Sequence, residues 1–110
     1  MQLLIHNSEQ RIANGDSGDY IEPDFLVSRL VLNVSQISVN LLGSITLKAQ
    51  CSPDGSTWFD IPNLSSTLSA TGAVAVNLSS PFRAGDHLRV VWTFANANSV
   101  TFSAYLVGEK

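Results

Sequence analysis

The chain of 110 residues has a single cysteine, Cys51, so it forms no internal disulfide and falls outside the disulfide-stapled class of small secreted domains. Charge is scarce: Asp, Glu, Lys and Arg make up 14% of the residues, against roughly 25% in an average soluble domain. The polar surface must therefore come mainly from Ser, Thr and Asn. Six Lys and Arg face nine Asp and Glu, a net charge of −3, and no basic cluster occurs. Counterion release, which drives nucleic-acid binding, then has no source, so neither nucleic acid nor an anionic membrane is an expected partner. The opening apolar run is only Leu3, Leu4 and Ile5, too short for a signal peptide or a membrane span, and synthesis in the cytoplasm is expected. No segment of useful length places apolar residues at i, i+3, i+4 and i+7, and almost no helix is expected.

What the sequence has instead is alternation of period two. In "SITLKAQCS" Ile45, Leu47, Ala49 and Cys51 point one way and Ser44, Thr46, Lys48 and Gln50 the other, the pattern of a strand with one buried face. The same reading applies to Val74, Val76 and Leu78, to Leu88, Val90, Trp92 and Phe94, and to Val100, Phe102, Ala104 and Leu106. Upstream, Leu30, Leu32 and Val34 hold the even positions but Ile37 and Val39 the odd ones, which predicts a bulge near Ser35 and Gln36. Seven or eight short strands in one domain predict an all-β, single antiparallel β-sandwich over residues 1–110, jelly-roll-like or Ig-like in connectivity. Residues 1–28 read as a partly extended N-terminal arm or strand region.

The stretch "SPDGSTWFDIP" carries the strongest turn signal. Pro53, Asp54 and Gly55 suit a three-residue hairpin loop, with Ser52 opposite Ser56. Counting outward pairs Gln50 with Trp58, Ala49 with Phe59, Lys48 with Asp60 and Leu47 with Ile61. That register puts Phe59 and Ile61 in the core, matches Lys48 to Asp60 on the polar face, and sets Trp58 there too. An outward Trp is either covered by its own chain, in contact with a partner subunit, or a sugar platform.

No chemistry-bearing constellation stands out. His6 and His87 have no ligand spacing, and neither a Gly-x-Ser-x-Gly elbow nor a phosphate-binding loop is present. "NGDSGDYIEPDF" has the acid density of a calcium loop but places Asp19 where the pattern needs Gly and Phe25 where it needs Glu, so a solvated loop is the expectation. No catalytic residue, cofactor or metal site is nominated, and no enzyme is expected.

The order "RLVLNVSQIS", "ITLKAQCSPDGSTWFDI", "HLRVVWTFANANSVTFSAYLVGEK" resembles a group of small β-rich proteins of tailed bacteriophages. In those proteins a strand ending in Ser-x-Asp-Gly-x-x-Trp precedes Leu-Arg-Val and a closing aromatic strand. Here Ser52, Asp54, Gly55 and Trp58, then Leu88, Arg89 and Val90, meet the pattern. The resemblance implies a virion structural protein of the head decoration or cement type. Such proteins bind the outer surface of the capsid, bridge major capsid subunits and often act as dimers or trimers. The candidate contact residues are Leu3, Leu4 and Ile5, a strand available to another chain's edge, together with Trp58 and Asp60. A carbohydrate-binding or tail-associated receptor-binding module is the alternative, with Trp58, Asp60 and Tyr105 as its platform.

Overall fold

Two very long strands organise the computed structural model, which describes residues 1–109: β4, Leu26–Ser52, and β7, His87–Glu109. At about 3.3 Å per residue a straight β4 would reach roughly 90 Å. The longest dimension of the molecule is 41 Å, so both strands double back. They turn at Leu42 and Asn96, two non-glycine residues with φ of 61° and 52°. There the antiparallel pairing of β4 with β7 jumps from Val39↔Ala97 to Ser44↔Ala95. The two-stranded ribbon is thus folded over on itself.

Each half of the ribbon recruits its own neighbours. Strands β1 (Gln2–Arg11) and β6 (Gly72–Arg83) flank the half made of the C-terminal part of β7 and the N-terminal part of β4. Strands β2 (Gly15–Asp16), β3 (Tyr20–Ile21) and β5 (Phe59–Leu68) flank the other half. Counting β2 with β3 as one leg and each half of β4 and β7 as its own, the eight legs run 1-8-3-6 in one sheet and 2-7-4-5 in the other. That is a jelly roll, and the Ig-like connectivity is not adopted. Residues 2–11 form the edge strand of the first sheet.

The core follows the alternation. Leu30, Leu32, Val34, Ile45, Leu47, Ala49, Cys51, Leu88, Val90, Trp92, Val100, Phe102, Ala104 and Leu106 all lie in one buried cluster between the sheets. Burying each large member stabilises the fold by roughly 1.5–3 kcal/mol. Trp92 of one sheet meets Phe102 of the other edge-on at 5.4 Å between centroids, and His6 stacks on Phe102 at 4.2 Å. The expected parity change appears as a register shift between Val34 and Gln36.

The hairpin departs from the predicted count. Cys51 pairs with Phe59 and Gln50 with Asp60, so the loop spans six residues, 53–58, in place of three. The cause is side-chain capture of the backbone. Ser52 Oγ accepts hydrogen bonds from the N–H groups of Asp54 and Gly55, and the Asp54 carboxylate accepts from those of Ser56 and Thr57. The chain stays in a turn until these donors are satisfied. Phe59, expected in the core, is consequently 56% exposed. A second irregularity at Asn63, with φ of 64°, moves the register to Lys48↔Ser65 and turns both Ile61 and Leu64 inward.

Candidate functional site

The outer face of the 2-7-4-5 sheet carries the densest set of ordered polar side chains. Asp16 on β2, Arg89 on β7, Gln50 on β4 and Asp60 on β5 line up across four strands, because Arg89 is the register partner of Gln50 and Gln50 that of Asp60. Arg89 Nε donates to Gln50 Oε1 at 2.8 Å, Gln50 Nε2 donates to Asp60 Oδ1 at 2.8 Å, and Lys48 Nζ reaches Asp60 at 3.2 Å. The far side of Arg89 approaches Asp16 at 3.5 Å. Hydrogen bonding from Gln50, and then from Lys48, holds the Asp60 carboxyl below its ordinary range.

Trp58 leaves the loop and lies against this ladder. The Arg89 guanidinium sits 4.2 Å from its ring centroid, a cation–π contact that leaves the indole half-buried. The Trp is covered on one face by its own chain. The expected Lys48–Asp60 pair is present, diagonal in the ladder instead of directly opposed. Arg89 entered the sequence reading only within the Leu88-Arg89-Val90 motif and not as a candidate contact residue. Its place opposite Leu88 and Val90 in the alternation marked it as outward, but its pairing with Gln50 joins positions 39 residues apart.

The remaining candidates lie elsewhere. Leu3 and Ile5 turn their side chains into the core at 5% and 7% exposure, and only Leu4 presents its side chain outward. The three residues belong to β1, the last strand of its sheet, paired on one side with β7. Tyr105 pairs with Leu4 and Val31 in that same sheet, so it does not join Trp58 and Asp60 on the other, and the sugar platform is not assembled. Two acids of the 14–25 loop have protein partners: Asp16 caps the Gly18 N–H and meets Arg89, and both carboxylate oxygens of Asp19 lie 2.8 Å from His87 Nδ1. Among the described residues no group of three His, Cys, Asp or Glu side chains converges as a metal site. What the ladder offers is a pre-ordered polar surface with one aromatic.

No protein-family profile matches the sequence, and no curated protein does. Among solved structures, a chain from the capsid of Ralstonia phage GP4 superposes with a TM-score of 0.60 at 20% identity, covering 100% of this chain and 82% of that one. The crystal structure of PirA gives a TM-score of 0.49 at 13% identity over 96% of this chain and 90% of that one. The first of these shares the fold over the whole of this chain and 82% of its own length.

Proposed function

We propose that this chain is a structural protein of a tailed-phage virion, a head decoration or cement protein that binds the outer capsid surface and bridges neighbouring major capsid subunits. The observation that carries this reading is the full-length fold likeness to a phage capsid chain. It acts together with the sequence resemblance carried by Ser52, Asp54, Gly55, Trp58, Leu88, Arg89 and Val90. A bridging protein needs rigid surfaces and no chemistry. The ordered ladder and the doubled ribbon are of that kind.

The strand edges suggest how such a protein would engage the shell. Edge strands β5 and β6 carry Pro62 and Pro81, which remove a donor and block further pairing, and β2 and β3 are two residues each. Strand β1 has neither proline nor charge over residues 2–5, and Leu4 is 42% exposed beside that edge. Here a capsid strand would add by main-chain hydrogen bonding. The test is binding of the purified protein to undecorated expanded heads, followed by their thermal disruption. Saturable binding and a raised disruption temperature are expected, with Leu4→Lys weakening both while the variant remains folded. Heads that neither bind the protein nor gain stability would overturn the proposal.

A further inference from the structure

At one end of the sandwich the described turns carry no charge. The turns at 12–14, 40–43, 69–71 and 95–98 lie at the end where β4 and β7 fold over, and none contains an ionisable residue. The ionisable groups that flank the 12–14 turn are already matched, Arg11 with Glu9 at 3.1 Å and Asp16 with Arg89 at 3.5 Å. From this end project Ile12, Leu41 and Leu42, at 73%, 86% and 95% exposure. For a small domain, exposing two leucines this fully at a turn is unfavourable unless something covers them.

The leucines are also held rigidly. Leu42 sits in the left-handed region at φ 61°, which costs a residue with a Cβ about 1 kcal/mol or more. The strain persists because neutral amides lock the turn. Asn96 Nδ2 donates to the Leu41 carbonyl at 3.1 Å, Asn40 Nδ2 donates to Asn96 Oδ1 at 3.1 Å, and Asn98 Nδ2 donates to Asn40 Oδ1 at 3.2 Å. Gly43 closes the turn against the Asn96 carbonyl, leaving no room for a side chain. An apolar knob fixed in place loses little entropy when it is covered.

We infer that this end is a self-association surface, which seats the same end of a second copy of the chain. The charge distribution selects that occupant. Two chains of net charge −3 repel when their charged faces meet, whereas the turns at this end bring no ionisable residue of their own against the other copy. Depletion of charge around exposed apolar side chains is also a feature of interface cores. The size of the end sets the strength. The two shorter dimensions of the molecule, 27 and 21 Å, limit what such an end can bury to about 1,100 Å² over both copies. An interface within that limit is at the low end for a specific dimer, and the association is reversible.

The inference goes beyond the capsid reading and holds with or without it, because it is tested on the isolated protein. Sedimentation of the purified full chain over a concentration series should show a monomer–dimer equilibrium that added salt does not weaken. The double variant Leu41→Asp, Leu42→Asp should be monomeric throughout with an unchanged circular dichroism spectrum. Leu42→Gly, which removes the side chain and relieves the positive φ, should raise the dissociation constant at least about tenfold. Trp58→Ala should leave the dimer intact. A chain that stays monomeric near about 1 mM, where even weak association registers, overturns the inference. So does a dimer that survives Leu42→Gly or is lost with Trp58→Ala.

Discussion

The two ends of the sandwich solve the same problem, holding a turn between sheets, with different chemistry. At the 53–58 end an ionised carboxylate and a buried hydroxyl gather four backbone N–H groups. At the 40–43 end three asparagines do the work with uncharged amides. The first device is strong in water and sensitive to acid. The second is indifferent to pH and can be covered by another surface without desolvating an ion. The difference follows the distribution of charge over the whole chain, in which residues 61–82 and 90–108 contain no ionisable side chain except Tyr105.

Cutting what the two ends share should give the largest effect. Phe102 joins the sheets beside Trp92 and His6 and is fully buried, so Phe102→Ala should destabilise the fold by about 3–5 kcal/mol. Urea unfolding would measure it, and both ends should be lost in one transition. The next effect separates the ends. A Cβ on Gly43 would meet the Asn96 carbonyl oxygen at 2.1 Å, and one on Gly85 would meet the Ser52 carbonyl oxygen at 2.4 Å. These are backbone atoms that cannot swing aside. Gly43→Ala and Gly85→Ala should each cost about 1–3 kcal/mol. Amide exchange should show the loosening confined to the 40–43 and 95–98 turns in the first and to the 52–58 loop in the second.

The sheets were legible in the sequence because one face of each strand is buried, and period-two alternation records that directly. Leu88, Val90 and Trp92, and Val100, Phe102, Ala104 and Leu106, all fall inside as the spacing requires. That two predicted strands are the halves of one bent β7 was not legible, since Asn96 adopts its left-handed φ without the glycine that usually signals it. The hairpin failed for a related reason. Pro53-Asp54-Gly55 has a familiar loop reading, but the competing hydrogen bonds of Ser52 and Asp54 lengthen the turn, and Phe59 moves outside. Of the candidate site, Trp58, Asp60 and Lys48 were found on the right face. Arg89 was not joined to them, because its bond to Gln50 is set by the fold-over of the ribbon, a long-range event that local spacing does not encode.

Acid should distinguish the ends. Backbone hydrogen bonds from Thr57 and Ser56 hold the Asp54 carboxyl far below its ordinary value of 3.8. A depressed carboxyl supports the folded loop fully above the unfolded value, and that support is lost as pH falls toward the folded one. Between pH 4 and the folded value the Ser56 and Thr57 amides should lose exchange protection, about as they do in Asp54→Asn, whereas the asparagine turn should be unaffected. His6 adds a transition at higher pH. Burial, and then the nearby Arg11 charge, push its pKa below 6.5, and its Nε2 has no hydrogen-bond partner. The unfolded chain then takes up a proton that the folded one refuses, so stability is complete above about pH 6.5 and declines as pH falls below it. Melting temperatures at pH 7.5 and 5.5 should show this decline, and His6→Phe should abolish it.

The smallest effect asks whether the ladder on the charged face is itself held by charge. Lys48–Asp60 is an exposed pair, with side chains 36% and 59% accessible, and such pairs contribute about 0–1 kcal/mol. Lys48→Ala should therefore shift the melting temperature little. The neutral neighbour has the greater hold on Asp60, because the hydrogen bond from Gln50 is the principal cause of its lowered pKa and Lys48 follows. An NMR titration of the Asp60 carboxyl should then show a larger upward shift in Gln50→Leu than in Lys48→Ala. Gln50→Leu also removes the acceptor that orients Arg89, so the Arg89–Trp58 stack should loosen and Trp58 fluorescence should move toward that of exposed indole. Equal shifts in the two variants would mean that the face is organised by ion pairing after all. A larger shift in Gln50→Leu would mean that on this face, as at the 40–43 turn, an amide sets the geometry and the ions are placed on a frame already fixed.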